Sequence, residues 1–124
     1  MSVFTDAELR YLTGGHQLGR IATVGADGTP HVVPVGWIYN AARDAIEIGG
    51  IELERSKKFR DIARTGRAAI VIDDLESTDP WRPRGIEIRG RAEAIPNGGE
   101  QLGPGFAGAF IRIHPDKINA FGVD

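Results

Sequence analysis

The chain has 124 residues, 41% of them hydrophobic and 26% charged, with a formal net charge of −2. That size and balance fit one globular domain, residues 1–124, and exclude separate cofactor and substrate domains. The slight acidic excess argues against a general nucleic-acid binder, and the lack of cysteine removes disulfides, thiolate metal sites and cysteine nucleophiles, which fits a cytoplasmic protein.

The opening MSVFTDAELRYL has no basic segment followed by an apolar stretch, so no signal peptide is expected. It reads instead as a helix. Thr5 and Glu8 have capping-box spacing, Phe4 and Leu9 form a hydrophobic staple, and Gly14-Gly15 stops the element. The period then changes to two. Leu18 to Val24 and Pro30 to Tyr39 read as strands joined by an Asp-Gly turn, and Ala45 to Gly49 as a third carrying Ile46 and Ile48 on one face.

A second helix is expected after Ser56, its N-cap, with Phe59, Ile62 and Ala63 as the apolar stripe and Gly66 as the stop. Ala68 to Ile72 is the longest purely apolar run. It is far short of the ~20 residues of a membrane helix and reads as a strand buried on both faces. Leu75 to Arg84, with Pro80, Trp81 and Pro83, reads as a loop. Gly85 to Ile95 alternates strictly, placing Ile86, Ile88, Ala92 and Ala94 on one face, and Phe110 to Ile113 closes the set after a Gly-rich loop over Asn97–Gly108. Six hairpin-linked strands and two short helices predict a mainly β, antiparallel closed barrel.

The start of the second helix is unusual. Arg55, Lys57 and Lys58 crowd the end where the helix dipole disfavours cations. Unpaired N–H groups there make an anion site, Gly49-Gly50 allows close backbone approach, and Ser56 adds a hydroxyl. The competing reading is solvated surface lysines and arginine. In PHVVPVGW, Pro34 removes a ladder N–H and Gly36 leaves room beside Trp37; either a planar ligand lies against this backbone or the strand bulges at a barrel corner. The PWRPR loop with Trp81 and Arg82 either closes over a ligand, inserts into a partner, or is a surface loop.

His16, His31 and His114 lack metal-ligand spacing, so no metal site is expected, and no residue stands out as catalytic. G-x-S-x-G, P-loop and G-x-G-x-x-G motifs are absent, which disfavours the common hydrolase, NTPase and dinucleotide readings.

LGRIATVGADGTPHVVPVGWIY followed by RSKKFRDIARTGRAAIVIDD resembles the pyridoxamine 5′-phosphate oxidase-like FMN-binding split β-barrels, closest to the short actinobacterial members that depend on coenzyme F420. The resemblance covers roughly residues 4–122. It implies a six-stranded split barrel, a homodimer with two cofactor sites at the subunit interface, and phosphate binding by Arg55, Ser56, Lys57 and Lys58, beside the close backbone approach expected at Gly50. It also implies a flavin or deazaflavin ring near Val35, Gly36 and Trp37, with Trp81 and Arg82 reaching in from the second subunit. The chain lacks the C-terminal substrate segment of the vitamin-B6 oxidases.

The activity expected from this resemblance is hydride transfer between reduced F420 and a small conjugated or planar substrate. FMN in the same site, giving a flavin reductase or oxidase, is the alternative, and a cofactor carrier without turnover is a third. Neither a nucleic-acid nor a membrane partner is expected: two Trp, two Tyr and five Phe are few for a base-stacking groove.

Overall fold

The computed structural model describes residues 1–104, 106 and 108–123. Helix α1 (Asp6–Leu12) starts at the capping box. Thr5 Oγ1 accepts the Glu8 N–H at 3.1 Å, and Glu8 Oε1 accepts the Thr5 N–H at 2.8 Å. The strands are β1 (Leu18–Val24), β2 (Pro30–Gly36), β3 (Ile38–Asn40), β4 (Ala45–Ile48), β5 (Arg67–Thr78), β6 (Trp81–Ile95), β7 (Phe110–Ile113) and β8 (Lys117–Phe121). Helix α2 (Lys57–Thr65) is inserted between β4 and β5. Every pairing is antiparallel, in the order β2-β1-β5-β6-β7-β4-β3, with β8 also on β6.

Six strands are expected from the sequence and eight are present, because the expected strand Pro30 to Tyr39 is broken once and β8 is additional. β2 and β3 are one pass bent at Trp37. Since β2 pairs with β1 and β3 with β4, this pass joins the two ends of the strand order. β7 and β8 are a second pass along β6, whose pairing moves from Ala92↔Ile113 to Arg89↔Lys117. The partner takes one more step than β6, which is a bulge, and bulges bend a strand. Gly90 sits at that bend, where an added Cβ would lie 2.0 Å from the His114 carbonyl oxygen. The result is a split barrel whose two sheets share β6.

Residues 75–84, expected to be a loop, instead form the end of the β5–β6 hairpin, with Thr78 opposite Trp81. Arg84 grips Asp74 through two hydrogen bonds of 2.7 and 2.9 Å across the ladder. A register shift between Leu75 and Ser77 lies opposite Pro83, whose missing N–H a regular ladder would not accommodate. Ala68–Ile72 is not buried on both faces: Ala68, Ile70 and Ile72 are buried, while Ala69 and Val71 are only half-buried. β8 was not anticipated, because its Lys117 and Asn119 dilute the apolar alternation; Ile118 and Ala120 nevertheless pack on the core.

That core is made largely of isoleucine. Ile21, Ile46, Ile48, Ile62, Ile70, Ile72, Ile86, Ile88, Ile111 and Ile113 are its largest fully buried side chains. β-branched side chains are stiff and pack well on a pleated surface, and each contributes about 1.5–3 kcal/mol on burial.

Candidate functional site

The site begins at the turn after β4. Glu52 adopts a left-handed conformation (φ 53°), a 3-10 turn covers Leu53–Arg55, and Ser56 is extended as the N-cap of α2. Its hydroxyl donates to the Leu53 carbonyl at 2.6 Å and accepts the Phe59 N–H at 3.3 Å. Gly66 ends the helix at φ 69°. The expected stripe is partly displaced: Phe59 and Ile62 pack inward, but Ala63 is exposed and Asp61 is buried in its stead. The cause is polar. Asp61 accepts a hydrogen bond from the buried Thr23 hydroxyl at 2.9 Å, and Lys57 and Arg64 lie 3.3 and 3.5 Å from its carboxylate. Burial raises its pKa, but Thr23, Lys57 and Arg64 outweigh that and hold it below the usual carboxylate range.

The three cations at this helix start are therefore not equivalent. Lys57 is tied to Asp61, and its ammonium fills the space above Gly25, where a Cβ would come within 2.7 Å of Nζ. Arg55 is largely exposed and lies 3.4 Å from Glu52. Lys58 has no carboxylate partner among the described residues and is half-buried, and burial lowers its pKa. The first turn of α2 contains no acid. An anion here would meet free helix N–H groups and would offset the desolvation of Lys58, so Gly50, Arg55, Ser56, Lys57 and Lys58 fit a phosphate group.

A cleft of about 430 Å³ opens where the β2–β3 pass bends, between the end of α1 and the turn after β4. Gly36 and Trp37 line it on one side, Leu12 and His16 on a second, and Glu47, Gly49, Leu102 and Phe106 on the rest. Its walls are mostly apolar and suit a flat ring system. Among the described residues, Trp37 Nε1 is the one buried side-chain donor without a hydrogen-bond partner. An orphaned indole N–H of this kind calls for an acceptor. Gly49 is needed here, since a Cβ would lie 2.6 Å from the Phe106 ring and 2.8 Å from Leu102.

Each of the site residues expected from sequence has a definite place. Gly36 and Trp37 line the cleft, whereas the Val35 side chain is buried in the barrel core. Gly50 leads from the cleft wall at Gly49 towards α2, whose first residues are Lys57 and Lys58. Trp81 and Arg82 are at the tip of the β5–β6 hairpin, and Trp81 is 69% exposed. Among the described residues, one chain does not bring this tip into the same cavity as the helix start or the cleft; Trp81 and Arg82 line a separate depression with Glu76, Pro83 and Gly122.

Two polar clusters escaped the sequence reading. Behind the cleft, Arg112 Nε donates to Glu47 Oε2 at 2.8 Å, with side chains only 12% and 6% exposed. Arg112 also lies 3.7 Å from Glu93, which His114 Nε2 meets at 2.6 Å. The available signal was a pair of opposite charges, each flanked by isoleucines, in AIEI and FIRI. At the base of the hairpin, the Tyr11 hydroxyl donates to Asp74 Oδ1 at 2.8 Å, and its ring stacks on His16. Burial, followed by the Asp74 contact, pushes the Tyr11 phenol well above its ordinary range. The Arg84 hydrogen bonds are the main reason Asp74 is lowered. Among the described residues no group of three or more His, Asp or Glu is placed to hold a metal ion. None of the helices is long and apolar enough to cross a membrane.

Comparison with known proteins agrees with this architecture. The chain is 44% identical over 121 residues to 5a,11a-dehydrotetracycline/5a,11a-dehydrooxytetracycline reductase of Streptomyces rimosus, covering 98% of this chain and 84% of the relative. The FAD binding protein from Mycobacterium smegmatis superposes with a TM-score of 0.68 at 18% identity, covering 98% of each chain. A solved F420 reductase superposes with a TM-score of 0.67 at 20% identity, covering 89% of this chain and 94% of its own. Residues 5–118 match the model of the pyridoxamine 5′-phosphate oxidase family, so the chain belongs to that family of split barrels and its function is of the oxidoreductase type.

Proposed function

We propose that this protein is a cytoplasmic reductase that uses coenzyme F420 to reduce a planar, conjugated substrate, working as a homodimer. The observation that carries this reading is the 44% identity, over nearly the whole chain, to a reductase of dehydrotetracyclines. When bound, F420 supplies the hydride. The protein binds, orients and excludes water. Arg55, Ser56, Lys57, Lys58 and the N–H groups at the start of α2 hold the anionic part, with Gly50 allowing the backbone close. Gly36 and Trp37 lie against the ring system, and the apolar cleft beside them takes the substrate.

F420 fits the basic end better than FMN does. F420 continues past its phosphate into carboxylates, whereas FMN ends at a monoester. Lys58, without a carboxylate partner among the described residues, and the exposed Arg55 can each meet part of a longer anion.

The homodimer is supported by two features. Residues 74–84 form an arm beyond the segment of β5 that pairs with β1, and a lone two-stranded arm needs further packing. Leu18, Val24 and Val32 are 56%, 48% and 64% exposed on the outer face of β1 and β2, and the arm would bring Trp81 and Arg82 to the second copy's site.

Fluorescence titration of the purified protein with F420 and with FMN, at low and high salt, tests the cofactor. F420 should bind more tightly, with a margin that narrows as salt rises. Tighter FMN binding under both conditions would move the protein to the flavin branch. Anaerobic oxidation of reduced F420 in the presence of conjugated polycyclic ketones tests the reaction, and light scattering at micromolar concentration tests the dimer, which a clean monomer would exclude.

A further inference from the structure

We infer that Glu47 makes the cleft selective for flat molecules carrying a hydrogen-bond donor, a hydroxyl or an ammonium, over molecules carrying an anion. This rests on the cleft being the substrate position proposed above.

Glu47 is an anomaly among its neighbours. It sits in β4 between Ile46 and Ile48, on the face away from the barrel core, yet it is buried like them, 5% exposed where they are 0%. A carboxylate side chain left only 6% exposed gains from a partner on each oxygen. Oε2 has the Arg112 guanidinium, while among the described residues no protein donor reaches Oε1 within hydrogen-bonding distance. Glu47 at the same time lines the cleft, whose other walls near it are Ile38, Gly49, Leu102 and Phe106. An apolar ring sliding between those walls would find one strong acceptor at Glu47, while the orphaned donor of the cleft, Trp37 Nε1, is a neutral group that a neutral acceptor satisfies.

Arg112 does not cancel this preference. Its guanidinium is shared with Glu93 at 3.7 Å, and Glu93 in turn meets His114 at 2.6 Å. Two carboxylates therefore divide one arginine, with Arg43 acting on Glu93 only through space. A ligand carboxylate or sulfonate placed against Glu47 would be repelled; a hydroxyl or ammonium would complete its second oxygen. A hydrogen bond to a charged acceptor is worth roughly ten- to a hundredfold in affinity.

The test uses the full chain without cofactor and two matched flat probes, 9-aminoacridinium and acridine-9-carboxylate, followed by quenching of tryptophan fluorescence. The wild type should bind the cation at least about tenfold more tightly than the anion. Glu47→Gln keeps the size of the side chain and an oxygen for Arg112, and should reduce that preference to about threefold or less. Glu93→Gln removes the other carboxylate on Arg112 without touching the cleft; Arg112 then serves Glu47 alone, so the preference should narrow part of the way, and this variant also serves if the Glu47 variant fails to fold. Equal binding of both probes by the wild type, or an undiminished preference in folded Glu47→Gln or folded Glu93→Gln, would each overturn the inference. F420 titration of the wild type separates this from the cofactor reading. A selective cleft in a protein that binds no F420 would leave this inference standing and remove the proposed reaction.

Discussion

Replacing Arg112 by methionine is the most demanding test of how the second face of β4 is built. The substitution keeps the length and apolar stem of the side chain but removes the guanidinium that faces Glu47 at 2.8 Å. Glu47, 6% exposed, is then left with a charge in an apolar setting and no donor. Losing one partner of a buried pair costs about 3–5 kcal/mol, because the remaining ion keeps its desolvation penalty. For a domain of this size each kcal/mol shifts Tm by about 4 °C, so a fall of about 12–20 °C is expected. Glu47→Leu should cost much less, since Arg112 still has Glu93. The double variant Glu47→Leu/Arg112→Met places two apolar side chains face to face, and should recover most of what the arginine substitution loses. Urea unfolding followed by circular dichroism gives all three free energies. The reasoning fails if Arg112→Met lies within about 1 kcal/mol of wild type, or if the double variant is as unstable as the two single effects added together.

Gly90→Ala should abolish the bend between β7 and β8, because its Cβ would sit 2.0 Å from the His114 carbonyl oxygen and 2.9 Å from the Asp116 nitrogen; a loss of about 3 kcal/mol or more is expected by the same unfolding assay. Asp116 accepts hydrogen bonds from the Arg91 side chain and backbone, which lower its pKa from 3.8 to about 2. A depressed folded pKa means a stabilising contribution present above the unfolded value and lost as pH falls from 3.8 towards 2, so wild type and Asp116→Asn should differ in urea midpoint at neutral pH and converge on acidification. Lys57→Ala should weaken F420 binding roughly ten- to a hundredfold, whereas Arg43→Ala, in the turn before β4, should not; equal dissociation constants for the two variants would remove the phosphate site from α2.

The local features of this chain were written in short stretches of sequence. The Thr5–Glu8 capping box, the Ser56 cap and the Gly66 stop each depend on a few neighbouring residues, and all three are present as read. The isoleucine alternation in β4, β6 and β7 likewise reports one buried face directly, since side chains on a strand alternate with period two. The cations at the start of α2 were equally plain, because a helix dipole and three adjacent bases need nothing distant to define them. What stayed hidden depends on residues far apart in sequence. Whether the second face of a strand is covered depends on which segment crosses it, so nothing near Glu47 or Arg112 in sequence shows that the pair is buried. Asp61 could not be told from a solvated helix acid until α2 docked it on Thr23 of β1. The break at Trp37 follows from β2 and β3 pairing with different strands, and the break at residues 114–116 from β7 and β8 running along the same β6 one residue out of step. Pairing between strands is a property of the closed barrel, and only the folded chain decides it.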